Sequence, residues 1–136
     1  MRLLTTISFL LITGIVLAQN TTALSTDIDE RLLVKYELEY LQQLQENHPV
    51  LLQRLNYYLD HAWYIADEPQ EKGLTDLPIV TIETTSELNI LQLEKEQNVQ
   101  RDPQRPIAYK IAKTNQILVY HSAKRFNQNF NQLRSK

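Results

Sequence analysis

Leu33, Tyr36, Tyr40, Leu41 and Leu44 recur at helical intervals, and Asp27 with Glu30 three positions on supplies a capping pattern at the start of that run. The pattern predicts one amphipathic helix from Asp27 to Asn47. Pro49 suits the first position of a second helix, because the N–H it lacks would have no helical partner there. Leu51, Leu52, Leu55, Tyr58, Leu59 and Ala62 give that helix an apolar stripe. The short junction at Asn47-His48-Pro49 makes the two helices antiparallel neighbours.

After Ala62 the periodicity changes. Trp63-Tyr64-Ile65 runs into Asp67-Glu68-Pro69 and a polar stretch through Gly73, which reads as a loop. Leu77–Ile82 is rich in branched residues and predicts a strand, with Pro78 at its entrance or on a sheet edge. Residues 86–97 (SELNILQLEKEQ) fit helix or strand, and the Glu-Lys-Glu end favours a short helix. Residues 107–113 and 116–122 flank Thr114-Asn115 as a two-residue hairpin, which would pair Ile111 with Leu118 and Tyr109 with Tyr120. Phe126, Phe130 and Leu133 then mark one stripe of a C-terminal helix. The expected fold is α+β: an N-terminal antiparallel helix pair packed on a small antiparallel sheet, with a C-terminal helix.

The opening residues stand outside this pattern. Met1-Arg2 is a short positive start, Leu3–Leu17 is mostly apolar, and Val16-Leu17-Ala18 offers a cleavage site, so residues 1–18 read as a signal peptide. Residues 19–26 (QNTTALST) read as a flexible tether, and 27–136 as a single α+β domain. The expectation is a protein exported to the periplasm or secreted, soluble after cleavage, with peripheral membrane contact left open. Cysteine is absent, which removes disulfides, thiol catalysis and cysteine-ligated zinc. Two glycines, Gly14 and Gly73, are too few for phosphate-cradling loops.

Charge is distributed unevenly. Residues 19–100 hold 15 acidic and 5 basic side chains, a balance of −10, whereas residues 101–136 hold 8 basic and 1 acidic, a balance of +7. Lys110, Lys113, His121, Lys124 and Arg125 are the candidate binding residues of that basic end, directed at an envelope protein or an anionic glycan. The alternative is that the basic end complements the acidic helices of its own chain. Nucleic acid is a poor partner for a mature chain that is acidic overall. Tyr57, Tyr58, His61, Trp63 and Tyr64 form an aromatic cluster suited to a core or to a stacking surface.

His48, His61 and His121 lack the spacing that places two ligands on one face, so no metal and no cofactor is expected. Ser25, Ser86, Ser122 and Ser135 lie in no nucleophile elbow, and Ser122 cannot share a strand face with its neighbour His121. The carboxylate pairs Asp67-Glu68 and Glu94-Glu96 lie in polar segments that offer no reason for a raised pKa. Residues 92–97 (QLEKEQ) and 109–127 (YKIAKTNQILVYHSAKRFN) resemble small exported proteins of Bacteroidota-type bacteria, which implies an envelope location and no mechanism. The leading expectation is an exported, non-enzymatic binding or accessory protein. The alternatives are a small hydrolase with His61 or His121 as general base, and an inhibitor or immunity-like protein that presents the loop at 66–76.

Overall fold

Helical periodicity from Asp27 to Asn47 is interrupted by tertiary contact. In the computed structural model, which describes residues 24–69 and 76–136, the run divides into a 3-10 turn at Glu30–Val34 and a helix α1 at Leu38–Asn47. Asp29, rather than Asp27, caps the turn, its carboxylate accepting from the Arg31 N–H at 2.9 Å. The tighter turn points Leu32 into the core and leaves Leu33 and Tyr40, two members of the expected stripe, about half exposed. The predicted signal peptide lies outside the described residues. The described end of the expected tether, Leu24–Thr26, is tied down: Asn56 donates to the carbonyls of Ser25 and Asp27, and Gln45 to that of Thr26.

Pro49 opens α2 (Pro49–His61) as its sequence position requires, and His48 alone separates it from α1. Its buried face runs through Leu52, Asn56, Tyr57 and Leu59, while Leu51 is turned to solvent. The segment expected to be a loop after Ala62 is instead an edge strand, β1 (Trp63–Asp67). Its inward residues Trp63 and Ile65 lie opposite Tyr120 and Leu118 of β4 (Gln116–Tyr120), so pairing with a long apolar neighbour organises a segment too short to declare itself.

The sheet order is β1-β4-β3-β2, with β2 at Ile79–Val80 and β3 at Ile107–Ile111. This is a mixed sheet, because β2 pairs parallel to β3, and the expectation of a wholly antiparallel sheet is corrected. The six-residue strand expected at 77–82 contracts to two residues. The carbonyls of Pro78 and Val80 accept from the N–H groups of Lys110 and Ala112, each at 2.8 Å, so Pro78 sits at the entrance of the edge strand, where its missing N–H costs nothing. The hairpin pairs Tyr109 with Leu118 and Ile107 with Tyr120, two residues out of the expected register. A shift of two keeps every side chain on its expected face, since faces alternate with period two. The connection is four residues long rather than the two of Thr114-Asn115, and Lys113 in it takes the left-handed conformation, at φ 61°.

The ambiguous 86–97 segment is helical where it matters: α3 covers Ile90–Gln97, capped by Asn89, after a 3-10 turn at Thr85–Glu87. The last helix, α4 (Ala123–Arg134), buries Phe126 and Phe130 as its stripe predicts. Two apolar clusters result. The larger joins Leu32, Leu41, Leu52, Leu59 and the inner sheet face, and the smaller holds Tyr57, Ala62, Phe126 and Phe130 between α2 and α4.

Candidate functional site

Where the 3-10 turn, α2, α3 and the N-terminal part of α4 meet, the helices leave a cavity of about 190 Å³ that opens to solvent. Leu32, Leu55 and Leu91 supply its aliphatic walls, and Tyr36, Tyr58 and Phe126 its aromatic ones. Lys35, Arg54 and Arg101 complete the lining, with no acidic residue among them. None of these three cations forms an ion pair among the described residues.

Arg101 sits deepest in chemical terms. Its guanidinium lies over the rings of Tyr58 at 5.0 Å and Phe126 at 5.3 Å, and its Nη1 is buried without a hydrogen-bond acceptor among the described residues. Burying a charged donor with one N–H group unanswered is unfavourable, and cation–π contact offsets only part of that cost. Arg54 spans the cavity side of α2, with its guanidinium 5.8 Å from the Phe126 ring and its Nη2 donating to Asn127 at 2.5 Å. Lys35 is exposed at the rim, its ammonium 5.7 Å from the Tyr36 ring.

The backbone around Arg101 is held on both sides. Asn98 ends α3 in the left-handed conformation, and the Tyr109 hydroxyl brackets Gln100, accepting from its N–H at 3.0 Å and donating to its carbonyl at 3.1 Å. On the other side, Asp102 accepts from the N–H groups of Gln104 and Arg105, which holds its carboxyl below the usual carboxylate range. The Asp102 and Pro103 carbonyls accept in turn from Ala123 and Lys124, locking the loop to the start of α4. Positioning from both directions is what a binding group needs to meet a ligand without reorganising.

Beneath the cavity, Glu94 accepts from the hydroxyls of Tyr58 at 2.5 Å and Tyr120 at 3.0 Å through one carboxylate oxygen. Burial first, then the carboxylate, pushes the Tyr58 phenol upward, and burial does the same at Tyr120. Both therefore remain neutral donors to Glu94 at any physiological pH. The Glu94-Glu96 pairing seen in the sequence is thus divided by the fold, one carboxylate serving this network and the other exposed.

The basic residues singled out from the sequence are not brought together. Lys110 and Lys113 lie at the turn end of the hairpin, and Lys110 faces Glu68 at 3.7 Å. Lys124 and Arg125 lie beyond the other end of β4, a strand of five residues, which at 3.3 Å each separates the two groups by about 16 Å. His121 is half-buried and its ring lies 5.2 Å from that of Tyr64. Burial lowers its pKa, and Arg125 lowers it further. His61 stacks on Tyr57 at 4.3 Å, and burial lowers its pKa against the opposing pull of Asp60. Neither histidine lines the cavity, and the Asp60 carboxylate beside His61 is engaged by Arg31 at 2.7 and 2.9 Å. Ser122 caps α4, its Oγ accepting from the Arg125 N–H at 3.1 Å.

Most of the aromatic cluster is core: Tyr57 packs on Phe126 and Phe130, and Trp63 donates to the Leu59 carbonyl at 2.8 Å. Tyr64 and His61 are its exposed members. Among the described residues no group of three or more histidines, aspartates or glutamates could hold a metal ion. The loop at 66–76 is described only at its ends, residues 70–75 lying outside the described set. The signals for Lys35, Arg54 and Arg101 were present as single basic residues, but they come from three different segments that only the fold assembles. The chain matches no family model, no curated protein and no solved structure.

Proposed function

We propose that this protein is an exported, non-enzymatic binding module of the bacterial envelope, and that it holds an oxyanion-bearing ligand in the cavity lined by Lys35, Arg54 and Arg101. The observation that carries the reading is the buried Arg101 Nη1, a charged donor without an acceptor among the described residues, in a lining that adds two further cations and, among those residues, no carboxylate. Guanidinium groups recognise carboxylates and phosphates through paired, charge-assisted hydrogen bonds, so an oxyanion is the group that would complete this lining. Fixed hydrogen bonds on either side of Arg101 support a preformed site. The lining contains no unpaired carboxylate or imidazole to act as a general base, which favours capture over turnover.

Titration with inorganic phosphate and with acetate, followed by nuclear magnetic resonance of the arginine side chains and backbone amides, tests this. Saturable shifts confined to residues 32–36, 54–58, 101 and 126, and absent from Arg101→Met, are expected. Diffuse, non-saturating shifts with both anions would reject the site. The export reading is checked separately by mass spectrometry of the protein from its native cells, where an N-terminus after Ala18 is expected and an intact Met1 would overturn it.

A further inference from the structure

We infer that the ligand is a small acid with an apolar body about the size of one ring, its carboxylate or phosphate directed to Arg101. This rests on the oxyanion reading above and adds the chemistry of the remainder of the ligand. Size sets the first limit: a cavity of about 150 Å³ accommodates benzene, and this one measures about 190 Å³, enough for one ring and an attached charged group.

Polarity sets the second. A sugar ring buried here would need partners for several hydroxyl groups. The lining offers no asparagine, glutamine, serine, threonine or carboxylate, and of its two tyrosine hydroxyls that of Tyr58 already donates to Glu94, which leaves the Tyr36 hydroxyl as the neutral partner. Leu32, Leu55 and Leu91 instead present aliphatic carbon, so an acidic sugar with several hydroxyls would lose more hydration than the Tyr36 hydroxyl and the cations can replace, and an apolar body would not. The cations are spread from the buried Arg101 Nη1 to the exposed Lys35, which gives the charged group an attractive path inward from solvent.

Isothermal titration of the full mature chain with phenylacetate, phenyl phosphate, inorganic phosphate, acetate, glucuronate and benzyl alcohol tests the inference. The two aryl acids should bind one to one, at least about tenfold tighter than inorganic phosphate, acetate or glucuronate, the margin expected from burying several ring carbons. Whichever aryl acid binds more tightly assigns the head group as carboxylate or phosphate, and both results support the inference. Arg101→Met should weaken the aryl acids at least about tenfold, in line with loss of a charged hydrogen bond. Leu55→Trp, which fills the cavity, should remove the advantage of the ring while retaining weak phosphate binding. Should that chain fail to fold, Leu55→Phe provides the milder filling variant, with a smaller loss of ring preference expected.

Equal affinity for acetate and phenylacetate, or tighter binding of glucuronate, would overturn the apolar body while leaving the oxyanion site in place. Equal binding of benzyl alcohol would overturn the role of the charge. Absence of saturable binding by every anion would reject the site itself, and the inference with it.

Discussion

Arg31, in the 3-10 turn, and Arg101, in the loop after α3, stand in opposite electrostatic circumstances. Arg31 donates to Asp29 and Asp60 through three of its nitrogens, at 2.7 to 3.3 Å, and its charge is answered twice. Its carboxylate partners favour its charged form, the hydrogen bonds it donates to Asp60 and then to Asp29 outweighing burial. Arg101 has aromatic faces around it and, among the described residues, no ion-paired carboxylate and one buried nitrogen with no acceptor. A chain that pairs one half-buried arginine and leaves another open distinguishes a structural cation, which fastens the 3-10 turn to the end of α2, from a cation held ready for something else.

The largest effect is expected at Phe126, the residue shared by core and cavity. Phe126 is 1% exposed and touches both the smaller core cluster and the Arg101 guanidinium. Phe126→Ala should cost about 3–5 kcal/mol in urea unfolding, and a loss under 1 kcal/mol would show that α4 is not anchored there. The polar floor comes next. Glu94→Met leaves two tyrosine hydroxyls without their acceptor and should cost about 1–3 kcal/mol per hydroxyl. Adding Tyr58→Phe and Tyr120→Phe should recover most of the loss, because replacing all partners with apolar groups of similar shape removes the unmet polar atoms. Failure to recover would mean that Glu94 stabilises the fold by some other contact.

Replacing each arginine in turn sharpens the contrast at smaller amplitude. Arg31→Met should destabilise by about 0.5–1 kcal/mol, less at high salt, because its ion pairs are partly solvated. Arg101→Met should leave stability within about 0.5 kcal/mol of the parent or raise it, since it removes an unanswered buried donor and breaks no pair. A large loss on Arg101→Met would place that residue among the structural cations.

The smallest effect is a difference in pH response. The Arg31 side chain, chiefly by hydrogen bonding, holds the Asp29 carboxyl below its ordinary range. The stability this contributes is present above the ordinary carboxylate pKa of about 3.9 and is lost as pH falls through the lower folded value. Acid unfolding of Arg31→Met should show a shallower loss over that window, whereas Arg101→Met should follow the parent. Identical acid limbs for all three proteins would deny Arg31 its role at Asp29.

Much of the helical framework was legible because local chemistry and burial agree there. Pro49 starts α2, Phe126 and Phe130 bury one face of α4, and the alternation of Tyr109, Ile111, Leu118 and Tyr120 assigns the inner face of the hairpin. The register two residues away was not legible, since it depends on a turn with Lys113 at positive φ, and the facing pattern is the same in either register. Nor was β1, whose five residues become a strand only against β4.

The candidate site was the least legible part. Charge counting along the chain pointed to Lys110, Lys113, His121, Lys124 and Arg125, which the sheet holds at separate ends. The cavity takes Lys35 and Arg54 from the acidic portion and Arg101 from the first position of the basic one. Sequence by itself determined where helices could start, which stripes they would bury and that no thiol or glycine-loop chemistry was available, because these follow from residue type and short-range spacing. Tertiary structure alone decided which arginine meets a carboxylate and which meets only aromatic rings, because the energy of a charge depends on neighbours that are distant along the chain and adjacent only after folding.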